Sequence, residues 1–170
     1  MLARKINRSK WAPKAYLKAD AIRADAVTND LKTTDDKLSL WRCEDDPQDL
    51  DHVFLALATG PKSDRFDRMD IVVVPEKEIE DAGLKAEAKE GDTAVQDLRS
   101  RHVDLVELDF DKLGTFARIL AYRVKNSQFK LLTKTEIKRL VRNAVSGGRV
   151  QPSELNEKLR EKLGNSTPVV

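Results

Sequence analysis

Residues 69–75 read Met-Asp-Ile-Val-Val-Val-Pro, and the reading of this stretch decides the fold. It is a continuous run rich in β-branched residues, stopped by proline. That pattern belongs to a strand covered on both faces, because a strand with one wet face alternates apolar and polar residues. A sheet hidden on both sides needs helices above and below it.

Just upstream, Glu44-Asp45-Asp46-Pro47 opens a helix. Asp46 suits the N-cap, Pro47 the first helical position, and Gly60 lies just past the end. Leu50, Val53, Phe54 and Leu57 give the i, i+3, i+4, i+7 stripe, and Leu55, Ala56 and Ala58 make the last turn apolar all round. Further upstream, Leu31 to Thr34, Asp35-Asp36 and Lys37 to Cys43 read as a hairpin running into a strand. Leu38 and Leu40 face one side of that strand, Trp41 and Cys43 the other. The strand–helix–strand unit from Leu38 to Val74 has the length of a crossover between parallel strands. The alanine-rich residues 14–30 predict another helix.

Downstream, the sequence predicts a short acidic helix over Glu76 to Ala82 with Gly83 as its C-cap. Leu84, Ala86 and Ala88 alternate with charge, as an edge strand does. Asp92 or Thr93 caps a helical turn reaching Ser100, and Val103 to Leu108 reads as a strand. Asp109 or Asp111 caps a helix whose Leu113, Phe116, Ala117, Leu120, Ala121 and Val124 fit the helical period. Thr133-Lys134-Thr135-Glu136 is a capping box, and Ile137, Leu140, Val141, Ala144 and Val145 form the stripe behind it. Gly147-Gly148 ends that helix. A second, from Ser153 to Leu163, carries a narrow seam of Leu155, Leu159 and Leu163.

The pattern as a whole predicts an α+β chain with mixed α/β character. A small, mainly parallel or mixed sheet is flanked by helices and joined by a C-terminal helical pair. Residues 1–12 form a basic N-terminal arm, 13–130 the core, 131–164 the helical pair packed on it, and 165–170 a frayed tail.

Charge is sorted along this chain. Residues 1–18 hold six cations (Arg4, Lys5, Arg8, Lys10, Lys14, Lys18) and no anion, whereas residues 44–51 hold five anions and no cation. Residues 123–149 then carry eight cations against Glu136 alone, so the net +2 hides basic ends around an acidic middle. Such asymmetry points to charged partners. The 35% charged share exceeds the usual value of about 25%, and the 40% hydrophobic share leaves a thin core under a charged surface.

Cys43 is the sole cysteine, which excludes an intramolecular disulfide framework and favours a cytoplasmic setting. The N-terminal residues contain no apolar segment of a secretory signal. The longest apolar runs, Val53 to Ala58 and Ile71 to Val74, fall far short of the roughly 20 residues of a membrane span.

Each proposed strand ends in acid: Glu44 after the first, Glu76 after the second, Asp109 and Asp111 after the third. On parallel strands these carboxylates converge, and converging oxygens suit Mg²⁺ and phosphodiester hydrolysis. The same positions are helix starts, where acids serve as caps and meet the helix dipole. Caps are the simpler account, so no metal site is assigned, and Mg²⁺ is expected only under the hydrolase alternative. Asp70 with Glu87-Ala88-Lys89 imitates a metal-nuclease core, but acid-x-Lys also occurs at Asp30/Lys32, Asp35/Lys37 and Glu136/Lys138. That recurrence marks composition. His52 and His102 lack the short spacing of a zinc site, and Cys43 reads as a small buried hydrophobe.

The basic helix is explained least by local structure. Lys134, Lys138, Arg139 and Arg142 lie off its apolar stripe, with Arg123, Lys125, Lys130 and Arg149 around it. This is an electrostatic footprint for phosphate. Phe129 is the one aromatic residue nearby, too little for interleaved base stacking. Three functions follow. The leading one is a non-catalytic cytoplasmic interaction protein with a charged macromolecular, most simply protein, partner. The second is a nucleic-acid binder using the basic helix, and the third the Mg²⁺-dependent hydrolase.

Overall fold

In the computed structural model the described residues are 1–12 and 21–164. The first half of the helix expected over 14–30, with Lys14 and Lys18, and the tail 165–170 lie outside them. Six strands form one sheet: β1 (Leu2–Ile6), β2 (Leu38–Arg42), β3 (Met69–Val74), β4 (Lys85–Ala88), β5 (His102–Val106) and β6 (Phe129–Leu132). Among the described residues seven α-helices accompany them: α1 (Arg8–Trp11), α2 (Ala24–Asp30), α3 (Pro47–Ala58), α4 (Glu76–Asp81), α5 (Phe110–Lys125), α6 (Lys134–Ser146) and α7 (Glu157–Gly164).

The strand order is β4-β5-β2-β1-β3-β6, and every neighbouring pair is antiparallel. The expected mainly parallel or mixed sheet is thereby corrected to an antiparallel α+β sheet. The strand–helix–strand reading erred in one respect. β2 and β3 do run in the same direction, but β1 lies between them and pairs antiparallel with both. Leu2–Ile6, read as part of a basic arm, is thus an interior strand.

The chemistry of β1 explains its place. Leu2 and Ile6 are buried on one face, and Ala3 on the other. Ala3 stands opposite Trp41, so a small side chain leaves space for the indole across the strand pair. Arg4 shares the face of Leu2 and Ile6 but turns its guanidinium to backbone carbonyls. It donates to Ser39 O at 2.6 Å and, from Nε, to Asp30 O at 3.0 Å, satisfying the last turn of α2.

Period-two alternation divides the core into two layers. One face carries Ala3, Trp41, Cys43, Met69 and Ile71 against α3, α6 and α7. The other carries Leu2, Ile6, Leu38, Leu40, Val72, Val74, Val103 and Leu105 against α2, α4 and α5. Several local expectations are met. Asp46 caps α3 by accepting from Gln48 N–H at 3.2 Å, and Asp109 caps α5 by accepting from Lys112 N–H at 2.8 Å. The capping box of Thr133 and Glu136 is complete. Asp35 and Asp36 take φ of 51° and 55°, the left-handed pair of a tight hairpin turn closed by the Thr34–Lys37 bridge.

Elsewhere the backbone departs from expectation. Residues 96–101 form a 3₁₀ turn, and the helix expected from Ser153 splits. A short 3₁₀ turn covers Pro152–Glu154, Leu155 is extended, and α7 begins at Glu157. The Asn156 side chain accepts from Lys158 N–H at 3.0 Å, so a new cap restarts the helix once Leu155 is seated in the core.

Candidate functional site

Strand direction separates the acidic residues. Glu44 and Glu76 follow strands that point one way, while Asp109 and Asp111 follow β5, which points the other. Glu44 is exposed. The Glu76 carboxylate lies 3.5 Å from Arg42 Nε and 3.8 Å from the N-terminal amine. Asp109 serves as a cap, and Asp111 sits in the first turn of α5, where the helix dipole favours it. Among the described residues, no group of three or more His, Cys, Asp or Glu side chains is placed to hold a metal ion.

The reactive side chains are held in the fold. Cys43 is buried, and its thiol is pushed up to about 11, above all by burial. His102 packs edge-on against Trp41, with ring centroids 5.2 Å apart, and its Nδ1 lies 3.2 Å from Lys89 O. Buried Asp104 takes a hydrogen bond from Ser39 Oγ at 3.1 Å and lies 3.5 Å from Lys89 Nζ and 3.7 Å from His102 Nε2. Here a carboxylate stands between serine and imidazole. The imidazole faces Asp104 and a carbonyl, so it is not placed to take the Ser39 proton as a nucleophile's base would be. Near the start of α3, Asp49 accepts from Glu44 N–H at 2.7 Å, lies 3.2 Å from His52 Nδ1 and binds Arg101.

The basic helix is amphipathic as the sequence implies. Ile137, Val141 and Ala144 are buried, whereas Lys134, Arg139 and Arg142 are exposed and Lys138 is half-buried. Two flanking cations are engaged internally: Arg149 pairs with Asp97 at 2.6 Å, and Arg123 pairs with Glu78. Lys134 and Arg142 face solvent.

A second basic feature has no counterpart in the sequence reading. A cleft of about 1360 Å³ opens between α5 and β6 on one side and the end of β1 with α1 on the other. Among the described residues six cations line it, Arg4, Lys5, Arg8, Arg68, Arg118 and Lys125, against the three carboxylates of Asp30, Asp67 and Asp70. Each carboxylate already has protein partners. Asp30 Oδ2 accepts from Asn7 N–H and Trp11 Nε1–H, both at 2.7 Å, and Asp67 binds Arg65. Asp70 Oδ1 is shared by Arg68 at 2.9 Å and Arg8 at 3.9 Å. The Arg8 guanidinium also lies over the Phe129 ring, 4.6 Å from its centroid.

Arg4 is the exception among the cations. Burial lowers its pKa to about 10, against the pull of Asp30, and its donors are used on carbonyls. Burial likewise lowers the pKa of Lys5, partly offset by Asp67. The cleft went unseen in sequence because its cations come from three separate segments. The acid-free opening of the chain, which supplies Arg4, Lys5 and Arg8, was the one local signal.

The two basic features meet at one end of the sheet. Leu132 stands opposite Met69, so Arg68 and Thr133-Lys134 leave the sheet side by side. No protein-family model, curated protein or solved structure matches this chain.

Proposed function

We propose that this chain is a non-catalytic binding protein whose partner is a polyanion, a nucleic acid, engaged through the exposed cationic face of α6. One observation carries the reading. The apolar stripe of α6 is buried while Lys134, Arg139 and Arg142 stand in solvent, and the charges of Lys134 and Arg142 are ones the fold itself does not use. Arg149 and Arg123 are cations that the fold does use, and the contrast separates the two roles. The start of α6 also leaves the sheet beside Arg68, a residue of the basic cleft. An extended cationic surface suits an extended anion better than a compact acidic patch on a protein.

Phosphate binding of this kind releases counterions, so affinity falls linearly in log–log salt plots, by about 0.9 per contact on duplex DNA. Fluorescence anisotropy with a labelled duplex, titrated across salt, is the test. Arg139→Glu combined with Arg142→Glu should weaken binding at least about tenfold and flatten the salt slope by about two. Binding indifferent to both salt and these changes sinks the reading.

A further inference from the structure

On α5, Arg118, Tyr122 and Lys125 recur at i, i+4 and i+7, so they form one stripe down the cleft wall. Tyr122 is 63% exposed, one of two large hydrophobic side chains left so open among the described residues. An aromatic ring with a cation one turn to either side is the arrangement a single strand needs: a face for a base and charges for the phosphates flanking it. The opposite wall adds Arg8, its guanidinium plane steadied on Phe129, and Arg68. Those two cations share the single carboxylate of Asp70, which leaves positive charge over at that point. A guanidinium plane is itself a surface on which bases stack. The cleft exceeds the roughly 300–1,000 Å³ of a drug-sized ligand site, so it has room for more than one nucleotide.

We infer that this cleft holds a single-stranded segment of nucleic acid, one base lying on Tyr122 and the backbone phosphates meeting Arg118, Lys125, Arg8 and Arg68. The inference rests on the reading of the partner as nucleic acid, and assigns the cleft to unpaired strand and the α6 face to backbone of either form. In a duplex the bases are stacked on one another and have no free face for Tyr122. The aromatic contact therefore discriminates between the two forms, whereas the charges do not.

The test uses the full chain with two fluorescent probes, a short oligo(dT) and a duplex, read by anisotropy at fixed salt. Tyr122→Ala should weaken oligo(dT) binding about tenfold and leave duplex binding unchanged, with Tyr122→Phe restoring the affinity. Arg118→Glu with Lys125→Glu should weaken oligo(dT) binding by tenfold or more. All three positions are exposed on α5, so the fold survives these changes. If Tyr122→Ala leaves oligo(dT) affinity unchanged while the α6 variant weakens it, the cleft assignment falls and the partner reading stands. If neither probe binds at low salt, both fall.

Discussion

Burial sets what single side chains of this protein can do, and His102 is the clearest case. It is 8% exposed and lies against Trp41, and burial outweighs the opposing pull of Asp104 to hold its pKa below the ordinary 6.5. The unfolded chain therefore takes up a proton that the folded chain resists. Stability is fully present above about pH 6.5 and declines as the pH falls toward the folded value. Melting temperatures measured across this range should fall for the native chain and stay level, though lower, for His102→Asn. Asp49 works in a different window. Burial raises its pKa, but hydrogen bonds from Arg101, Glu44 N–H and His52 win, and the net shift is downward. Its contribution is present above about pH 4 and lost as the pH falls below it. Asp49→Asn should shrink the acid limb of the same curve and leave the limb near pH 6 intact. The sequence placed Cys43 on the Trp41 side of β2 as a buried hydrophobe, and there it lies. It could not place Asp104 beside Ser39, sixty-five residues away, because that pairing depends on strand register.

At the scale of elements, legibility followed the range of the interactions. α3, α5 and α6 were readable with their caps because a helix closes its hydrogen bonds within four residues and its end signals lie in the same window. The Thr133–Glu136 box is the most local of these. Thr133→Ala should cost about 1 kcal/mol, read as a lower urea midpoint at unchanged m-value; no change would show that the cap contributes nothing. β1 and β6 were missed for the opposite reason. Leu-Ala-Arg-Lys-Ile and Phe-Lys-Leu-Leu break the apolar–polar alternation that marks β4, and their partners are supplied by distant segments. Arg4 and Lys5 also masked the apolar pair of Leu2 and Ile6 that buries β1. In α7 the leucine seam was read correctly, as Leu155 and Leu159 are buried. The helix start was misplaced, since only the docking of Leu155 shows that the backbone must extend there.

Across the whole molecule, one sheet separates two apolar layers, and β1 belongs to both: Leu2 to one face, Ala3 to the other. The layers should therefore fail together. Leu120→Asp places an unpaired charge in the α5 layer and Val141→Asp does so in the α6 layer, at sites with 0% exposure. Each penalty of several kcal/mol rivals a typical total stability of about 5–15 kcal/mol. Hydrogen exchange should show β1 amides losing protection in both variants; protection retained in one would mean that the layers are independent. The sequence by itself determined the helices, their caps, the two-faced burial of Met69–Val74 and the sorting of charge, because those depend on neighbours a few residues apart. Only the tertiary structure decided the antiparallel order, since whether a strand enters between β2 and β3 turns on pairing across tens of residues. The antiparallel pairing of β5 with β2 sent Asp109 and Asp111 to one end of the sheet, and the insertion of β1 left Glu44 and Glu76 together at the other. That insertion also carried the basic opening residues to the wall of the cleft, where they face Arg118 and Tyr122.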